Sequence, residues 1–316
     1  MAACLSMDNY NTGVSGCDFL MKIARRLILV PKYDESGAVN EFANEAAVTK
    51  SALQAKFDHN DVEDRFFPLE EMENVEDTRA ETVFYEWNSG NKVKIRKGSR
   101  TFTGIIPMKN PYLISKIESF NGRELGVYII DADGNFVYNR NTDTTDFAKV
   151  QPIYIDGASL TASYVKYTDS DAGGILVQFD FDRNVGDEFL NYINASSLDF
   201  DGLSNNDVYG LIDVTTKLSS LAAGATNQLF TATLVDDYGN PVQGLVVGEF
   251  AATDESDDGA VALSTATETS AGVYSIATTA AQSSVTIRCY IEKAKYNFNE
   301  SDVAVFTGGF TVTMIA

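Results

Sequence analysis

Gly126-Val-Tyr-Ile-Ile-Asp-Ala-Asp-Gly-Asn-Phe-Val-Tyr138 decides the class of the fold. Gly126 to Ile130 is a run of β-branched and aromatic residues. Asp131-Ala-Asp-Gly-Asn135 carries turn chemistry, and Phe136-Val-Tyr138 resumes the apolar run. Two extended runs joined by a short Asp/Gly/Asn turn predict a β-hairpin. The same grammar recurs on both sides. Thr82-Val-Phe-Tyr-Glu-Trp87, the turn Asn88-Ser-Gly-Asn91 and Lys92-Val-Lys-Ile-Arg96 predict a second hairpin, whose last strand alternates apolar with basic residues.

Upstream, Arg26-Leu-Ile-Leu-Val-Pro-Lys-Tyr33 is a strand ended by Pro31, with Asp34-Glu-Ser-Gly37 as its turn. Residues 41–57, rich in Ala, Glu and Lys, predict a helix with Phe42, Ala46, Ala47, Leu53 and Phe57 as inward positions. Lys97-Gly98-Ser99 predicts a turn into Arg100-Thr-Phe-Thr-Gly-Ile-Ile106, and Pro111 to Ser119 a short helix. Ile153–Ile155, Thr161–Tyr167 and Gly174–Asp182 continue the strands, and Val185–Ile193 predicts a closing helix with Asp187 and Glu188 in its first turn.

Beyond Asn194 small polar residues dominate, and then Ala, Thr, Ser, Val and Gly take over while lysine thins out. Leu229–Val235, Val246–Ala251, Val273–Ala277, Val285–Ile291 and Phe306–Met314 are the predicted strands there. The expected organisation is an N-terminal arm (1–21), a β-rich assembly domain (22–195), a linker (196–210) and a C-terminal domain (211–316). The expected class is mainly β: a β-sandwich or barrel-like body with one or two short helices, then a second β-sandwich.

The chain has 45 acidic and 24 basic residues among 316, a formal net charge of −21. Such a surface repels phosphates, which disfavours nucleic-acid binding through a broad basic face. Acidity serves solubility, or the wall of a channel past which DNA slides without sticking; composition does not choose between them. Cys4, Cys17 and Cys289 form no CxxC pair and no disulfide framework. The apolar run Leu27–Val30 is too short for a signal, and no stretch approaches the roughly 20 apolar residues that span a bilayer. The expectation is a protein made in the cytosol and soluble there until it assembles, with no membrane partner.

Chemistry-bearing residues are sparse. His59, the single histidine, lies in Phe57-Asp-His-Asn-Asp61, and no Gly-x-Ser-x-Gly elbow, P-loop or dinucleotide fingerprint accompanies it. Three distant cysteines and one histidine make a poor zinc set. Asp131, Asp133 and Asn135 have the opening spacing of a calcium loop, but Thr142 stands where the bidentate Glu belongs. The acidic patches Asp169–Asp171, Asp199–Asp207 and Asp254–Asp258 read as solvated loops, with an interfacial divalent ion as the alternative. No catalytic residue, cofactor or metal is expected. Lys92, Lys94, Arg96, Lys97 and Arg100 stand out against the acidic background. They read either as a subunit interface that docks on a neighbour's acidic face or as a charged strand that resists aggregation.

Phe230-Thr-Ala-Thr-Leu-Val-Asp-Asp-Tyr-Gly-Asn-Pro-Val-Gln-Gly244 and Thr269-Ser-Ala-Gly-Val-Tyr274 resemble the bacterial immunoglobulin-like domains of invasin-type adhesins and phage virion proteins. The acidic insertion Asp254-Glu-Ser-Asp-Asp258 departs from that pattern. Arg26-Leu-Ile-Leu-Val-Pro31, Arg65-Phe-Phe-Pro-Leu69, Asn74-Val-Glu-Asp-Thr-Arg79, Lys97-Gly-Ser-Arg-Thr-Phe102 and Val127–Asn135 resemble virion proteins from phages of Bacteroidota. The resemblance implies a phage structural protein. The order of parts is that of tail-tube subunits, which form stacked rings around passing DNA and carry a decorating immunoglobulin-like domain. It implies partners among copies of the same chain and other virion proteins. A capsid, collar or head-decoration protein is the nearest variant, and an adhesion module binding carbohydrate or a host surface is the rival.

Overall fold

The computed structural model describes residues 21–59, 63–107, 111–140, 149–166, 173–205, 207–223, 228–236, 239–254, 260–279, 285–291, 296–297 and 311–312. The chain divides into two compact units, Met1–Tyr209 and Gly210–Ala316. In chain order the first carries β1 (Ala24–Pro31), α1 (Lys50–Phe57), β2 (Phe67–Pro68), β3 (Glu73–Arg79), β4 (Val83–Glu86), β5 (Lys92–Arg96) and β6 (Arg100–Pro107). There follow α2 (Tyr112–Glu118), β7 (Leu125–Asp131), β8 (Phe136–Arg140), β9 (Val150–Gln151), β10 (Ile153–Val165), β11 (Gly174–Phe181) and β12 (Leu190–Ile193).

Among the described residues these strands form one ten-stranded sheet along the path β12-β8-β7-β10-β11-β6-β3, with β1 on β7, β2 on β1 and β9 on β8. Only β4 and β5 stand apart, as a two-stranded sheet of their own. Both faces of β1 and β7 are covered. Leu27, Leu29, Val127 and Ile129 face a core with Phe102, Ile153, Val177 and Phe179, while Ile28, Tyr128 and Ile130 are buried on the opposite side. There Phe42 and Phe66 meet Tyr128 with ring centroids about 6 Å apart. Burial on two sides explains the unbroken apolar runs at Leu27–Val30 and Val127–Ile130, where a one-sided strand would alternate.

The second unit holds β13 (Ile212–Ala223), β14 (Gln228–Asp236), β15 (Phe250–Asp254), β16 (Leu263–Ser270), β17 (Val273–Thr278), β18 (Val285–Ile291), β19 (Tyr296–Asn297) and β20 (Thr311–Val312). The sheets β16-β17-β14-β13-β19 and β15-β18-β20 enclose a core of Phe230, Ala232, Leu234, Phe250, Tyr274 and Ile276. Inward and outward residues alternate along β14 because Phe230, Ala232 and Leu234 share one pleated face. Tyr274 anchors it, donating its hydroxyl to Val242 O at 3.0 Å and accepting from Leu245 N at 3.1 Å.

Five expectations need correction. The helix expected at 41–57 forms only over Lys50–Phe57: Asn44 caps a 3-10 turn at Glu45–Ala47, and Thr49 then caps α1 from its own side chain. The helix expected at Val185–Ile193 is a 3-10 turn at Asp187–Phe189 followed by β12, because Asn191 and Ile193 alternate inward against β8. Lys97-Gly98-Ser99 makes no turn; it continues from β5 toward β6, with Ala80 N donating to Ser99 O at 2.8 Å. The stretch 196–210 is no free linker, since Phe200, Val208 and Tyr209 are buried and Gly202 lies against Ile130. In the second unit Val247–Glu249 is a 3-10 turn and the expected strand starts at Phe250. Of Phe306–Met314 only Thr311–Val312 lies among the described residues.

Candidate functional site

The β3–β6 pair at one edge of the large sheet continues outward as the β4–β5 hairpin. Gly98 permits the narrow stem between them, because a Cβ there would lie 1.8 Å from Ala80 O. Arg79 Nη1 closes it by donating to Gly98 O at 3.2 Å. At the tip, Trp87 N donates to Asn91 O at 2.9 Å and Gly90 adopts φ 79°. That left-handed position is one glycine takes without steric cost.

Register sorts the side chains onto two faces. Tyr85 pairs with Val93, which places Tyr85, Trp87, Val93 and Ile95 together; Phe84 pairs with Lys94 and Glu86 with Lys92 on the reverse. Tyr85 and Trp87 meet edge-to-face at 5.1 Å. Trp87 is 54% exposed, Val93 51% and Ile95 60%. An isolated two-stranded hairpin is marginally stable in water, and this one displays a contiguous aromatic and aliphatic face.

The strand edge beside it is built against pairing. β3 bulges between Glu73 and Glu76, and Asn74 sits at φ 49°. Exposed Glu73, Glu76 and Asp77 line the same edge. Bulges and charges on an edge strand discourage a neighbour's strand from adding to it.

The five basic residues singled out in the sequence separate. Lys92, Lys94 and Arg96 lie on the reverse face of β5, and Lys92 Nζ is 3.4 Å from Glu86 Oε2. Lys97 lies in the stem. Arg100 does not belong to this open strand: it sits in β6, its side chain 10% exposed, and its Nε donates to Asp77 Oδ1 at 2.7 Å. Its guanidinium also covers the ring of Phe181 at 4.3 Å.

The other candidates resolve as turns and ties. Asp131 is fully buried; its Oδ1 accepts from the backbone of Asp133 and Asn135, both at 2.9 Å, and its Oδ2 from Asn135 Nδ2 at 2.9 Å. These carboxylate oxygens are spent on the turn. Asp199 and Asp207 hold Lys50, at 2.7 Å through its backbone and 2.6 Å through its ammonium. Asp169–Asp171 and Glu255–Asp258 lie outside the described residues, as do Cys4 and Cys17. His59 follows α1 with Nδ1 4.0 Å from Asp64 Oδ2. Among the described residues no group of three or more His, Cys, Asp or Glu is placed to hold a metal ion. No described helix is long and apolar enough to cross a membrane.

Four tyrosines titrate far above the ordinary phenol, chiefly because burial disfavours the charged form. Tyr128 is wholly buried with its hydroxyl donating to Val150 O; Tyr138 donates to Glu45, and Tyr209 to Asp58. Tyr154, beside Glu41, is raised to about 12.

No protein-family model and no curated protein matches the sequence. Among solved structures, an Escherichia coli adhesin, FdeC, is similar at 17% identity and a TM-score of 0.22, over 57% of this chain and 58% of that one. The match spans less than two thirds of that adhesin chain, and a likeness this loose carries no argument about function.

Proposed function

We propose that the chain is a non-catalytic structural subunit that associates with copies of itself through the β4–β5 hairpin. The observation that carries this reading is the exposed face of Tyr85, Trp87, Val93 and Ile95 on an arm whose strands, among the described residues, pair only with each other. Where the arm docks on a different patch of its neighbour, the contact is heterologous. Such contacts close into rings or run on as helical tubes. With the resemblance to phage virion proteins, the assembly is a phage particle. A tail tube of stacked rings, with the immunoglobulin-like C-terminal unit outside, is the form the order of parts favours.

Sedimentation velocity of the full chain across protein concentration tests the reading. It expects concentration-dependent association that Trp87→Ser with Ile95→Ser abolishes. Association unaffected by that pair places the interface elsewhere, and a chain that stays monomeric while adhering to glycans or cells favours the adhesion module.

A further inference from the structure

At the root of the hairpin lies a cavity of about 140 Å³ whose lining includes Arg79, Arg96, Lys97, Arg100, Arg183 and Asp187. Five cationic side chains meet two carboxylates there, Asp182 and Asp187, on a chain of net charge −21. Two of the cations are already satisfied: Arg79 Nη2 lies 2.5 Å from Asp187 Oδ1, and Arg100 is forked onto Asp77. Asp182 Oδ1 accepts from Asn184 N at 2.9 Å. Among the described residues no carboxylate lies within 4.0 Å of the charged nitrogens of Arg96, Lys97 or Arg183.

These three cations come from different places: the end of β5, the stem, and the connection from β11 to β12. Phe181 and Val185 supply apolar lining, while Arg96, Lys97 and Arg183 stay exposed to solvent. A planar carboxylate is satisfied by one arginine fork. Donors supplied by three separate segments suit an anion with oxygens pointing several ways.

We propose that this cleft is an oxoanion site that takes a phosphate or sulfate group. Arg96 and Lys97 belong to the hairpin while Arg183 belongs to the body, so a bound anion ties the arm to the sheet and fixes its angle. The group is either a free ion or an ester on a polymer, and the chemistry of the cleft is the same for both.

Calorimetric titration of the full chain with inorganic phosphate and with sulfate at low ionic strength tests the site. The expected result is saturable one-site binding, weakened at least tenfold in Lys97→Ala with Arg183→Ala and unchanged in Arg123→Ala, a cation outside the cleft. Amide exchange across residues 80–99 should slow with phosphate in the wild type alone. A short single-stranded oligonucleotide separates the sources: competition with phosphate identifies an ester ligand, and phosphate binding without competition identifies the free ion. Absence of saturation with either ion, or equal affinity in the double variant, overturns the proposal. So does oligonucleotide binding that survives the double variant without phosphate binding.

Discussion

Arg26 Nη1 donates to the carbonyl of Val208 at 2.9 Å, across most of the length of the first unit. The same guanidinium reaches Asn205 Oδ1 and the carbonyls of Gly202 and Ser204, and burial lowers its affinity for its proton. Carbonyl dipoles and the nearby carboxylates of Glu70, Glu71 and Asp201 hold the charge, and it fastens Gly202, Ser204, Asn205 and Val208 onto β1. Arg26→Ala should destabilise the first unit by about 3 kcal/mol, through lost packing and carbonyls left without donors. Limited proteolysis checks it: cleavage should appear within residues 198–209 before the rest of the unit is cut.

Trp87→Ser with Ile95→Ser should leave folding intact while removing self-association. Both side chains are more than half exposed, so the change in unfolding free energy stays within about 0.5 kcal/mol. Thermal denaturation and sedimentation on the same samples separate the two effects.

Gly98→Ala should act on the hairpin alone. Its methyl group would lie 1.8 Å from Ala80 O and 2.8 Å from Glu81 O, so the stem must open at a local cost on the order of 2 kcal/mol. Hydrogen exchange should quicken across residues 80–99 while the amides of β1 and β7 keep their protection.

The first unit should lose stability steeply in alkali. Tyr128, Tyr138, Tyr154 and Tyr209 all have folded pKa values above the unfolded value near 10, burial being the largest cause. Each contributes stability that is fully present below pH 10 and is lost as pH rises through the folded pKa; for Tyr154 that window is about 10 to 12. Urea midpoints should be flat from pH 7 to 9 and fall from 10 upward. The tyrosinate absorbance of these four buried rings should rise in step with unfolding.

Much of this fold is legible residue by residue. The Gly126–Tyr138 and Thr82–Arg96 hairpins are readable because their turns need a left-handed glycine, and Gly134 and Gly90 supply it at φ 80° and 79°. Asp131 and Asp236 close their turns in the same way, each accepting from the backbone of the Asn four residues on. β13 and β16 are not legible locally because Thr and Ser interrupt their apolar residues, and their pairing with β14 and β17 overrides weak local preference. Arg26 reaches the carbonyls of Gly202, Ser204 and Val208, 176 or more residues away, a tie that local composition does not carry. At the candidate site the basic strand was legible. The significance of its other face was not, because Tyr85, Trp87, Val93 and Ile95 look like core residues until the tertiary structure leaves them uncovered.

Negative-stain electron microscopy of the purified chain, across protein concentration and salt, tests the central claim most directly. Rings or tubes of uniform diameter, absent from the Trp87→Ser and Ile95→Ser variant, are the predicted result. Single particles of monomer size at every concentration and salt would contradict it.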